Sequence, residues 1–411
     1  MSTLNTTEFA PELALLLQCA RHHLKGGCQQ QIQQLVNHPE LNWRDVIHLA
    51  RFHRLLPILH KVLFSKDLAL DLPDSILKAL RGYWLKNIGR NFSLVQELKS
   101  FLEILDTHHI RAITFKGPMT AMNAYGDLSL RTFSDLDLLV HPDDFLKLRE
   151  IAINQGYQCD KLMAVSEREC LKQLSSQEQA SYFQSQKEYS LLKVESRTFL
   201  DIHQGILSKQ FLPLFDTRWI WQHTQERQVG GHPVLGLTPD VEVIVLAAQG
   251  AEEYWPQLGK LFDLAMLIEN QPNLDWNSVL DLSESLDVLP RLILGLTLIQ
   301  NLYGVTLPDQ VDRHLKAAPP LQALAQEIQE TMLNKPQHID SKLTLNLVLY
   351  QLRLMTHWRN RVRCVLTLMN PTLADIAAIP LPKYLFFIYY LFRPVRLIQE
   401  VVWPQPAHPK P

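Results

Sequence analysis

Thr114-Phe-Lys-Gly-Pro118, followed by Ser134-Asp-Leu-Asp-Leu-Leu-Val140, decides the fold class of this chain. The second stretch alternates as a strand does, so Asp135 and Asp137 leave one side while Leu136, Leu138 and Val140 leave the other. The two aspartate Cα atoms are then about 6 to 7 Å apart. Like charges that close call for a cation. Mg²⁺ takes one or two protein carboxylates with substrate phosphates completing its shell, so the pair reads as half of a metal site for phosphoryl chemistry. The first stretch supplies an anion-binding turn. His109-Ile-Arg-Ala-Ile-Thr-Phe115 reads as a buried β-branched strand, Lys116-Gly117 as the turn, and Pro118 as the first residue of a helix covering Met119 to Tyr125. Glycine there lets a phosphate approach backbone donors at a helix N-terminus, and Lys116 adds a point charge. The plain alternative is a strand end and a helix start with no ligand.

A later pair of alternating segments, Glu188 to Val194 and Thr198 to Gln204, is joined by a short polar turn and reads as a hairpin. Asp201 shares its side of the strand with Phe199 and His203, opposite Leu200 and Ile202, so it can face where Asp135 and Asp137 face. A carboxylate in mid-strand is unfavourable unless something offsets it.

Lys116-Gly117, Tyr125-Gly-Asp127, Arg131, Ser134 to Val140 and Leu200-Asp-Ile-His203 together resemble an uncharacterised bacterial nucleotidyltransferase family of the DNA polymerase β-like superfamily. Asn42-Trp43 to Pro57 and Pro380 to Leu397 resemble its flanking segments. The resemblance implies an α+β fold, a nucleotidyltransferase core with a small mixed β-sheet flanked by helical N- and C-terminal domains. It implies transfer of a nucleoside monophosphate from an NTP to an unknown small-molecule or protein acceptor, with Mg²⁺ or Mn²⁺ as cofactor and pyrophosphate as the leaving group. Asp135, Asp137 and Asp201 become the catalytic, metal-holding carboxylates, with Asp201 the base or orienter for the acceptor. Lys116, Gly117, Arg131 and Ser134 become nucleotide contacts. Arg131 either stabilises charge on the β and γ phosphates or is a surface arginine in a loop. His203 is expected in a supporting role beside Asp201.

Two departures from that pattern stand out. Gly117-Pro118 replaces the Gly-Ser of the wider superfamily, losing a hydroxyl and one N–H donor. Near Gln249 and Glu252 a histidine and a basic residue are expected, which puts contacts from the helical domain in question. These changes favour the alternative of a non-catalytic nucleotide-binding or interaction module on the same fold. Tyr125 and Trp255 are read either as base-stacking residues or as helix core.

Composition bounds the rest. With 411 residues and 46% hydrophobic content the chain can bury a large core in two or three domains. A formal net charge of -2 supplies no steering toward long nucleic acid. Cys19, Cys28, Cys159, Cys170 and Cys364 lack metal spacing and read as reduced thiols, consistent with a cytoplasmic expectation. The first residues lack a basic n-region, so Leu13 to Leu17 reads as a helix face.

Trp43, Val46, Ile47 and Ala50 form a helical stripe after an Asn42 cap, and Leu94, Leu98, Leu102 and Leu105 form another leading into the first strand. The expected divisions are a helical domain over 1–85, the core over 86–235, a helical domain over 236–402 and a proline-rich, extended or disordered tail over 403–411. Thr238 or Asp240 is expected to cap a helix beginning at Val241. From Lys342 onward Asp375 and Glu400 are the only acids, against Arg353, Arg359, Arg361, Arg363, Lys383, Arg393, Arg396 and Lys410, with an apolar aromatic run at 384–392. That end is expected either to dock on a membrane or partner or to pack as a core helix; the run is too short to span a bilayer.

Overall fold

The computed structural model describes residues 9–158, 186–208, 218–334, 345–370 and 383–402, with scattered positions between 172 and 183 and between 375 and 381. The tail over 403–411, Cys159 and Cys170 lie outside the described residues. The order begins α1 (Pro11–Lys25), α2 (Gln29–Val36), α3 (Trp43–Phe52), α4 (Leu56–Leu63), α5 (Asp74–Thr107), β1 (Ala112–Thr114) and α6 (Gly117–Thr120), which a π-turn extends to Tyr125. It continues with β2 (Asp135–Val140), α7 (Phe145–Asn154), β3 (Tyr157–Gln158), β4 (Glu188–Lys193), β5 (Thr198–His203), β6 (Thr224–Val229) and β7 (His232–Leu237). Then come α8 (Pro239–Glu252), α9 (Leu258–Glu269), α10 (Trp276–Ser285), α11 (Leu289–Tyr303), α12 (Asp309–Lys316), α13 (Pro319–Asn334), α14 (Leu345–Arg353), α15 (Trp358–Leu368) and α16 (Tyr389–Val402). The mixture of helix with a small sheet agrees with the expected α+β class.

The chain divides into two compact units that do not follow its linear order. One contains Met1–Glu103, Ile113–Leu136 and His223–His338; the other contains Ile104–Ala112, Asp137–Gln222 and Ile339–Pro411.

The first unit is built on helices apolar all round. Residues Leu13 through Ala20 of α1 are all buried, as are most of α8, α9 and α11, which pack on one another. A helix without a polar face belongs in a core, which is why α1 shows no single stripe. The α3 start matches its sequence signal, because the Asn42 side chain accepts from the Arg44 N–H at 3.0 Å. α8 begins two residues earlier than expected, at Pro239, whose fixed φ and missing N–H suit a first helical position. Thr238 precedes it without a side-chain cap bond. A hairpin of β6 and β7 turns at Gly230-Gly231, both at positive φ (57° and 80°), as a two-residue turn requires.

α5 ends later than its stripe suggests and shortens the strand that follows. His109 adopts φ 55°, the Ile110 N–H returns to the Leu105 carbonyl, and the His109 N–H returns to Asp106. That closure is a Schellman turn, and it keeps His109 and Ile110 out of β1. The sheet contains five strands in the order β1-β2-β5-β4-β3. The hairpin is as expected: β4 and β5 pair antiparallel, with Ser190 opposite Asp201 and Glu188 opposite His203.

In the second unit Met355, Cys364 and Leu368 form a small apolar cluster with Leu347, Val348 and Leu352 around it. No described helix is long and apolar enough to cross a membrane. Among the described cysteines, Cys19, Cys28 and Cys364 are thiols, and complete burial pushes the Cys19 thiol far up.

Candidate metal cluster and phosphate turn

β5 alternates so that Leu200 and Ile202 face the core while Asp201 and His203 share the other side. His203 is 1% exposed and places Nε2 2.9 Å from Asp137 Oδ1. Its Nδ1 is 3.5 Å from Glu188 Oε2, the residue opposite it in the hairpin. Asp137, 5% exposed, is the buried carboxylate of β2. One ligand atom from each of Asp137, Asp201 and His203 lies within 4.8 Å of the others. Ligands on opposite sides of an ion bound at about 2.0 to 2.4 Å are about 4 to 5 Å apart, so the set can close on one divalent cation. Two carboxylates and an imidazole suit Mn²⁺ as well as Mg²⁺, since nitrogen is a poorer partner for the harder ion.

The cluster differs from the expected trio in one member. His203 stands in it with Asp137 and Asp201, and Asp135 does not. Asp135 shares the alternating side of β2 with Asp137 but opens the strand and is only half-buried. The cross-strand neighbour, not the next residue on the same side of β2, completes the group of three.

The turn before α6 is strained. Lys116 has φ 72° and ψ -159°, a region that is almost exclusively glycine's, and Gly117 follows at φ 45°. The Lys116 carbonyl accepts from the Met119 N–H at 2.9 Å, which starts α6. A Cβ at Gly117 would lie 3.3 Å from the Asp135 carbonyl, so the turn rests against the start of β2. Ser134 accepts through its carbonyl from Arg90 at 3.2 Å.

Arg131 is not a surface arginine. Its Nε is 3.0 Å from both oxygens of Asp263, one nitrogen donates to Asp263 Oδ2 at 2.9 Å, and the other donates to the Gly117 carbonyl at 3.1 Å. Tyr125 donates to the same Asp263 at 2.8 Å. Burial and the adjoining carboxylate push the Tyr125 phenol well up, while Asp263 outweighs the burial of Arg131 and raises it. These contacts commit Arg131 to holding the Lys116-Gly117 turn, and they commit Tyr125 to the core. Trp255 is likewise core at 1% exposure, its ring so close to Gly250 that a Cβ there would come within 2.2 Å. The Trp255 ring is therefore not available to stack a base.

Several positions that organise the site escaped the sequence reading. Asn91, fully buried in α5, donates to the Leu128 and Arg131 carbonyls at 2.6 and 2.9 Å and braces the loop before β2. Glu242 accepts from Thr120 at 3.0 Å and from Asn123 at 2.6 Å, and burial raises its carboxyl against those bonds. Asp263 ties α9 to Arg131. The two acids left a sequence signal, a lone carboxylate in an apolar run: Val241-Glu-Val-Ile-Val245 and Leu261-Phe-Asp-Leu-Ala265. Gln249 is buried in α8, and Lys260 of α9 pairs with Glu253.

No curated protein and no solved structure matches the chain. A family model described as uncharacterised nucleotidyltransferase matches residues 39–304, a span that includes the turn, β2 and β5. By that match over more than half its length, the chain belongs to this nucleotidyltransferase family.

Proposed function

We propose that this protein transfers a nucleoside monophosphate from an NTP to an acceptor hydroxyl or phosphate, on a core of the DNA polymerase β-like kind. One observation carries the reading: a nucleotidyltransferase family member gathers Asp137, Asp201 and His203 within reach of a single cation. Asp137, Asp201 and His203 would hold that ion, with Asp135 adding a carboxylate at the head of the same strand. When bound, a divalent ion there would polarise a phosphoryl oxygen and lower the pKa of an acceptor hydroxyl. Asp201 takes the acceptor proton as the acceptor oxygen bonds to the α-phosphorus; the α–β bridging bond breaks and pyrophosphate departs. Arg131 keeps the Lys116-Gly117 turn in its strained shape.

Calorimetry with each of the four NTPs, with Mn²⁺ or Mg²⁺ and then with EDTA, tests the reading. Metal-dependent binding of one or more NTPs by the wild type, lost in Asp137→Asn/Asp201→Asn, is the expected result. Metal-independent binding that the double variant retains would favour the non-catalytic module.

A membrane-peripheral role draws support from a separate feature. Trp358, Val362 and Leu366 repeat every four residues along α15 and are 68%, 47% and 61% exposed, with Arg359, Arg361 and Arg363 exposed beside them. Arg393 of α16 donates to the Leu368 carbonyl at the end of α15, and that element exposes Leu391 and Phe392. Flotation with vesicles rich in anionic lipid, and no flotation with neutral ones, is expected for the wild type. Trp358→Ser/Leu366→Ser/Leu391→Ser should remain at the bottom of the gradient; flotation unchanged by these substitutions would argue against the surface.

A further inference from the structure

We propose that the cavity walled by α1, α4, α5 and the turn Leu128–Leu130 is a binding site for a small neutral polyol of sugar size, held by the imidazoles of His22 and His60 together with Lys61, Asp127 and Ser129. The site is additional to the nucleotidyl-transfer reading and does not depend on it.

The cavity has a volume of about 460 Å³, within the range of small-molecule sites. α4 packs against α1 and against the Leu128–Leu130 turn, and every residue of α4 except Lys61 is buried. A histidine in such a helix is ordinarily tied down by a hydrogen bond, because a buried polar group without one costs free energy. His60 is 9% exposed, and its ring nitrogens make no hydrogen bond among the described residues. Its ring stacks on Phe64 at 4.3 Å and 27°, and on Trp84 of α5 at 4.6 Å and 9°. Stacking uses the faces of the imidazole and leaves its edge, where the nitrogens are, for a ligand in the cavity that His60 lines. From the last turn of α1, His22 and His23 line the same cavity, and His22 Nδ1 is enclosed without a hydrogen-bond partner.

The chemistry of this wall selects hydroxyls. Burial, followed by Arg81 and Lys61, draws the His60 imidazole down to about 4, and burial, Lys61 and His22 draw His23 below its ordinary value. At neutral pH an uncharged imidazole offers one N–H and one lone pair, and the Ser129 hydroxyl likewise donates and accepts. Lys61 and Asp127, whose Oδ1 accepts from the Ser129 N–H at 2.8 Å, put one charge of each sign on the wall. An anion would meet Asp127 and a cation would meet Lys61, whereas hydroxyls, each donating and accepting, match all of these groups. Phe64 and Trp84 add ring surface for the C–H side of a sugar.

Saturation-transfer NMR on the full chain at neutral pH tests the site, with methyl glucoside, methyl galactoside, methyl mannoside and N-acetylglucosamine as neutral probes and glucose 6-phosphate as the charged comparison. At least one neutral probe should take up saturation from the wild type, and more strongly than glucose 6-phosphate. His60→Phe keeps the ring stack and removes both nitrogens, so it should bind that probe about tenfold more weakly while melting at or above the wild-type temperature. Lys61→Met, at an exposed position, should weaken binding with the fold unchanged. Wild-type affinity in both variants, no transfer to any neutral probe from folded wild type, or a preference for glucose 6-phosphate would overturn the proposal. Metal-dependent NTP binding through Asp137 is a separate measurement, so failure here leaves the transfer reading untouched.

Discussion

Asp137→Asn is expected to lower metal-dependent pyrophosphate release by at least about a thousandfold, equivalent to about 4 kcal/mol of barrier. The carboxamide fills the same volume and can still accept from His203, so the 5%-exposed position tolerates it and the fold should persist. What disappears is a negative charge at the centre of the only metal-competent cluster among the described residues. Mn²⁺ binding, read from the loss of its free electron paramagnetic resonance signal, should weaken in parallel. His203→Gln separates ligand from support. If its imidazole only orients Asp137, release should fall about 10- to 100-fold with metal preference unchanged. If it coordinates, the variant should lose its response to Mn²⁺ more than to Mg²⁺. Wild-type release in Asp137→Asn, with intact folding, would remove the cluster from the chemistry.

Arg131→Met should cost about 3 to 5 kcal/mol of stability, because it leaves Asp263 buried with its charge uncompensated. The side chains of that pair are 12% and 8% exposed, so little water screens the loss. A fall in the urea midpoint with an unchanged slope would register it. The double variant Arg131→Met/Asp263→Leu should recover a large part of the loss, since the stranded charge is gone. It should not recover nucleotide affinity, because the bond to the Gly117 carbonyl that holds the strained Lys116 turn is lost in both. Stability and affinity recovering together would deny Arg131 its positioning role.

The extent to which the site could be read in advance follows from the range of the forces involved. Alternation along Asp135 to Val140 and along Thr198 to His203 is local, set by the two-residue period of a strand, and it correctly placed Asp137, Asp201 and His203 on polar sides of their strands. The Lys116-Gly117-Pro118 turn was equally legible, because glycine enters the left-handed region without penalty and proline fixes its own φ. The hairpin of β4 and β5, the α+β class and the cap at Asn42 came from the same short-range rules.

What sequence could not decide was partnership across distance. Whether Asp135 or His203 would join Asp137 depended on which residue of a strand more than sixty positions away lay beside it, and register between distant strands is a tertiary quantity. Arg131 as a buried brace and Trp255 as core depended in the same way on how helices apolar on every side chose their neighbours. By itself the sequence determined the strands, turns and carboxylates that make phosphoryl chemistry plausible. Only the tertiary structure decided which charges meet, because packing and desolvation, which fix a charged group's partner, act between residues that the chain holds far apart.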